Sequence, residues 1–174
     1  MTFDAMKKTV ISLIAAAFIG LLAADPGPAG QPAGKGAAKA AAKAAKAEAK
    51  VKEVEVLKEA YVLMAMGNHD YDGHRVKAMA QVEDAIKILD NSILKDGTNG
   101  QKVVANDEEI ATAKAAFIAK HQGVDHTSQA FSDLQMREAQ QLLNNVHETL
   151  TKQPKVRGHV GNAIKHTETA LKIR

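Results

Sequence analysis

The chain has 174 residues with a formal net charge of +3, no cysteine or tryptophan, four phenylalanines and two tyrosines. The lack of cysteine excludes a disulfide framework, a thiolate metal centre, a lipid-modified amino-terminal cysteine and covalently attached c-type haem, so an apolar core must hold the fold. Charge is uneven: residues 1–24 hold two lysines against Asp4, residues 25–52 hold six lysines against Asp25 and Glu48, and 15 basic and 17 acidic residues remain for 53–174, a near-neutral body without the basic excess that nucleic-acid backbones require.

At the amino terminus Lys7 and Lys8 precede Thr9 to Ala24, an unbroken run of apolar and small residues. This pattern predicts a signal peptide over 1–24, cleaved near Ala24, and an exported chain, periplasmic or secreted. The alternative is a membrane anchor, but sixteen helical residues span roughly 24 Å, short of a hydrocarbon core near 30 Å. Residues 25–50 follow as a tether. Proline and glycine fill its first half, and alanine with Lys35, Lys39, Lys43, Lys46 and Lys50 its second. Alanine favours helix while like charges four residues apart oppose it, so the expectation is a flexible spacer, partly helical at best. On a helix the lysines would form one stripe able to meet an anionic surface.

From Val51 onward the pattern is all-α. Val54, Leu57, Tyr61 and Met64 mark a first helical face, and Met79, Val82, Ile86, Leu89 and Ile93 a second, beginning near Tyr71. Between them, Gly67 is placed to end one helix, with Asn68 or Asp70 able to cap the next. The 95–127 connection contains a short helix at 106–120, signalled by a capping residue, an acidic first turn and the Ile110-Ala113-Phe117 stripe. Phe131, Ala139, Leu142, Leu143, Val146 and Leu150 define a further face, and Val156, Val160, Ile164, Thr167 and Leu171 the last, with Pro154 at the turn between them. The expected architecture is an up-and-down four-helix bundle over 51–174, with one extra short helix folded across its end. The run Ala60 to Met66 is apolar on more than one face, so the first helix is also a candidate surface for homo-oligomerisation.

The stretch Gly67 to Arg75, GNHDYDGHR, concentrates chemistry-bearing side chains. At 100° per residue, His74, His147, His159 and His166 each fall about 100° from the centre of their helix's apolar stripe, at the edges where neighbouring helices meet. In an up-and-down bundle, His69, His74, His147 and His159 would converge at one end and offer imidazoles to zinc, copper or nickel. If 106–120 instead runs as a full return, His121 and His126 take the places of His147 and His159. The competing expectation is a structural turn: Asp70 caps the second helix, Tyr71 packs in the core, and Arg75 finds a carboxylate such as Glu138 or a row of carbonyls.

The string HDYxGHR (His69 to Arg75), with Ala78-Met79, residues 136–143 and residues 159–174, resembles a group of uncharacterised small exported bacterial helical-bundle proteins. The likeness covers about 53–94 and 131–174 and implies a helical domain behind a signal peptide. It carries no activity or ligand across. The leading expectation is therefore an exported, non-enzymatic binding or structural module. A histidine-based metal- or cofactor-binding bundle is the alternative, and no motif marks a nucleophile or a phosphate-binding loop.

Overall fold

The computed structural model of the chain describes residues 35–97 and 102–173. The expected leader, its cleavage point and the Pro/Gly half of the tether lie outside the described residues. The fold is all-α. Its helices are α1 (Lys35–Ala65), α2 (His74–Asp90), α3 (Asp107–Lys120), α4 (Gln129–Thr149) and α5 (Pro154–Ala170). Among the described residues the extended structure is a pair of two-residue antiparallel strands, β1 (Lys95–Asp96) and β2 (Lys102–Val103), within the α2–α3 connection. Among the described residues no helix is long and apolar enough to cross a membrane.

The apolar faces read from the sequence form the core. Leu57, Met64, Val82, Ile86, Phe131, Leu143, Leu150, Val160 and Thr167 are almost wholly shielded from solvent, each large apolar side chain contributing on the order of 1.5–3 kcal/mol of burial. Helix ends follow local chemistry. Asn106 accepts from Glu109 N while the Glu109 side chain accepts from Asn106 N, a reciprocal box that starts α3. Pro154 occupies the first turn of α5, where an amide hydrogen would have no partner in any case.

α1 differs from expectation. The Ala/Lys half of the predicted tether is helical and continuous with the packed segment, giving one helix of 31 residues, roughly 46 Å long. Residues 38–52 are all exposed, and burial begins at Glu53 and Val54. The physical reason is nucleation. Packing of residues 53–65 supplies the helical turn that an isolated Ala/Lys peptide must form unaided, so the arm needs only to propagate it. Each like-charge pair opposes this by only a few tenths of a kcal/mol.

The path between α2 and α4 also differs. α2 packs chiefly on α5, and α1 on α4, with further α1–α2 and α4–α5 contacts. Glu109, at the start of α3, meets Lys58 of α1 at 2.8 Å and Lys95 at 2.7 Å. Further along, Lys114 donates to Asn68 at 3.1 Å. α3 thus runs beside α1 in the same direction and returns the chain to the α1–α2 turn. Its 14 residues cover roughly 21 Å, enough to pass the ten-residue rise from Lys58 to Asn68. α4 starts at that turn and runs back to the other end, where Gln153 donates to the Glu53 carboxylate at 2.7 Å. The α4–α5 turn therefore lies opposite the α1–α2 turn, whereas the sequence reading placed both at one end. α3 also explains the second apolar face of α1: Val62, Leu63 and Met66 line a groove with Ala113 and Phe117, beneath the Lys58–Glu109 and Lys120–Glu138 pairs.

Candidate functional site

The GNHDYDGHR stretch is the joint at which α1, α2, α3 and α4 meet. α1 ends at Ala65, and the Gly67 amide donates to the Met64 carbonyl at 3.2 Å. A Cβ on Gly67 would lie 3.3 Å from that carbonyl oxygen and 3.4 Å from Arg75 Cδ, so the close approach suits glycine. The Asn68 amide donates to Ser132 Oγ at 3.2 Å, and its side chain bridges the His126 carbonyl and the Lys114 ammonium. Asn68 therefore ties the turn to α3 and α4 rather than capping α2.

Three consecutive residues then take left-handed backbone: Tyr71 at φ 55°, Asp72 at φ 52° and Gly73 at φ 75°. For the two non-glycine residues this costs of order 1 kcal/mol or more each. Compensation is visible. Asp70 accepts from Gly73 N at 3.1 Å, the Tyr71 ring is buried, and its hydroxyl donates to Asp133 Oδ1 at 2.7 Å. Burial, followed by that bond to a carboxylate, pushes the Tyr71 hydroxyl far above the ordinary phenol range. The run of left-handed residues delays α2, which begins at His74 with Gly73 as an N-cap lacking any side-chain bond, not near Tyr71. Arg75 Nη1 donates to the Met64 carbonyl at 3.0 Å. Glu138 instead serves Lys120 and His121, at 3.1 Å each.

The four histidines proposed as metal ligands do not meet. His69 lies against the Tyr71 ring with centroids 6.2 Å apart, at the α1–α2 end. His147, in the last turn of α4, faces the Glu148 carboxylate at 3.7 Å and approaches Gly161. His159 Nδ1 lies 3.0 Å from Gln81 Oε1. Among the described residues no group of three or more histidine and acidic side chains is arranged to hold a metal ion. The cause is the return path of α3, which sends the α4–α5 turn to the far end. His121 and His126 come to the near end instead, one stacked on Phe117 and the other edge-on to Phe131.

What the structure does bring together is His74 and His166, Nδ1 to Nδ1 at 3.2 Å, joining the first residue of α2 to the last turns of α5. Desolvation, with the charges of His74 and Lys77, lowers the His166 pKa. Sequence reasoning put both on helix edges but did not pair them. The available signal was that His166 lies seven residues beyond His159 on one face, so reversing α5 exchanges which of the two reaches His74. Beneath the turn, Gln135 is buried with neither amide atom hydrogen-bonded among the described residues.

Compared with known protein families, with curated proteins and with solved structures, the chain matches none.

Proposed function

We propose that this is an exported, non-enzymatic helical module: a four-helix bundle of α1, α2, α4 and α5, with α3 alongside α1, that carries a basic helical arm to an anionic polymer surface. The likeness of the HDYxGHR string to small exported bacterial helical proteins belongs to the same reading. The observation that carries it is the continuity of α1. Because residues 38–52 are helical and exposed, Lys39, Lys43, Lys46 and Lys50 fall within a narrow stripe along one side of the arm. Alanine occupies most of the remaining surface, so the arm offers charge with little apolar area for insertion into lipid. The bundle side chains that the sequence singled out are used internally, Tyr71 on Asp133 and Asn68 on the His126 carbonyl.

The test is retention of the full chain on immobilised heparin, as a polyanion probe, across a salt series. If four lysines each displace one counterion, affinity falls roughly a hundredfold between 50 and 200 mM salt. Replacing all four by glutamine removes both the binding and its salt slope while leaving the melting temperature unchanged. Equal retention of the quadruple variant refutes the assignment.

A further inference from the structure

The His74–His166 pair is the one place in the described fold where two metal-competent side chains from different helices face each other through their ring nitrogens. The Nδ1 atoms are 3.2 Å apart, the ring centroids 5.4 Å, and the planes are tilted by 47°. The rings meet through their nitrogens at hydrogen-bonding distance, the tautomer deciding which of the two donates. Both residues are partly buried. The first is set by the left-handed Tyr71-Asp72-Gly73 run immediately before it, the only positive-φ non-glycine residues described. Strained backbone of this kind persists where its surroundings fix it, and such positions concentrate at ligand sites.

We propose that His74 and His166 form a two-point chelate for a divalent transition cation, copper above all, at the junction of α2 and α5. A metal–imidazole bond of about 2.0–2.1 Å makes a 3.2 Å nitrogen separation subtend roughly 100° at the metal, close to a tetrahedral or cis arrangement. The two side chains are therefore already placed close to the bite a metal needs. The remaining adjustment is a rotation of each ring about its outer side-chain torsion, which is broad for histidine. The proton balance is simple. The donor imidazole moves its hydrogen from Nδ1 to Nε2, so both Nδ1 lone pairs become available and a neutral pair releases no net proton. Burial favours that neutral state of His166, and waters fill the other coordination positions. Copper is preferred over nickel and zinc by the general order of affinities for nitrogen donors. Lys77, one turn into α2 and close enough to act on His166, opposes the incoming charge.

The experiment titrates the full chain with Cu²⁺, and separately Ni²⁺ and Zn²⁺, following melting temperature and the electron paramagnetic resonance of bound Cu²⁺. The expected result is one saturable copper site with hyperfine splitting from two nitrogens. His74→Ala and His166→Ala each weaken it by about tenfold or more, because a single remaining ligand loses the advantage of linkage. His147→Ala and His159→Ala leave it intact, and Lys77→Gln tightens it. If either pair variant fails to fold, the Lys77→Gln effect and the two-nitrogen signature of the wild type still decide the matter. An affinity unchanged by His74→Ala and His166→Ala, or a site lost on His147→Ala or His159→Ala, overturns the proposal. So does the lack of any saturable site.

Discussion

Replacing Tyr71 by phenylalanine tests whether the HDYxGHR stretch acts first as a structural joint. The substitution retains the buried ring, which is 4% exposed, and removes only the hydroxyl that donates to Asp133 Oδ1 at 2.7 Å. A hydrogen bond to a charged group contributes about 1.5–3 kcal/mol, and the partly exposed Asp133 places this one at the lower end, about 1.5 kcal/mol. For a domain of this size that is a fall of roughly 5–7 °C in melting temperature, with a matching shift of the urea midpoint and an unchanged slope. Asp133→Asn should cost a similar amount, and the double variant should cost less than the sum of the two. The same bond has a pH signature. Tyr61 and Tyr71 are the chain's two tyrosines, and burial raises the pKa of both hydroxyls. A folded-state value above the unfolded one stabilises the protein fully below the unfolded phenol pKa of about 10, and the benefit is lost as pH rises beyond it. The Tyr71 share of tyrosinate absorbance near 295 nm should therefore appear only well above the ordinary phenol range, with the Tyr61 share also shifted upward. A loss below about 0.5 kcal/mol for Tyr71→Phe, or a phenol titrating near 10 in the folded protein, would refute the reasoning.

Two further substitutions probe the same joint. Gly73 sits at φ 75° with open space where a Cβ would go, so Gly73→Ala should cost about 1 kcal/mol through backbone conformation alone, read as a lower urea midpoint. Gln135 buries an amide without partners among the described residues, so Gln135→Met, similar in size and apolar, should raise stability by about 1 kcal/mol. A destabilised Met variant would show that the amide is engaged in the native protein.

Much of the fold was legible because helix formation depends on near neighbours. The 3.6-residue spacing of Val82, Ile86 and Leu89, the Asn106–Glu109 box and the position of Pro154 each announce an element within a few residues, and each is found there. Part of the joint was legible for the same reason: Gly67 follows the end of α1, and Tyr71 lies in the core. Arg75 bonds a backbone carbonyl, that of Met64, one of the two kinds of partner expected for it. The bond from Asn68 to Ser132 was not legible, because it depends on where α4 begins.

By itself, then, the sequence determined that the body is helical, which faces it buries, and that the histidines lie at helix edges. Only the tertiary structure decided that α3 returns the chain, that His74 meets His166 while His147 and His159 find other partners, and that α1 continues outward through the lysine stripe. The reason is one of range. Periodicity and capping are fixed over single helical turns, whereas the direction in which α4 and α5 run depends on the length and packing of a connection that carries no periodic signal across its two ends.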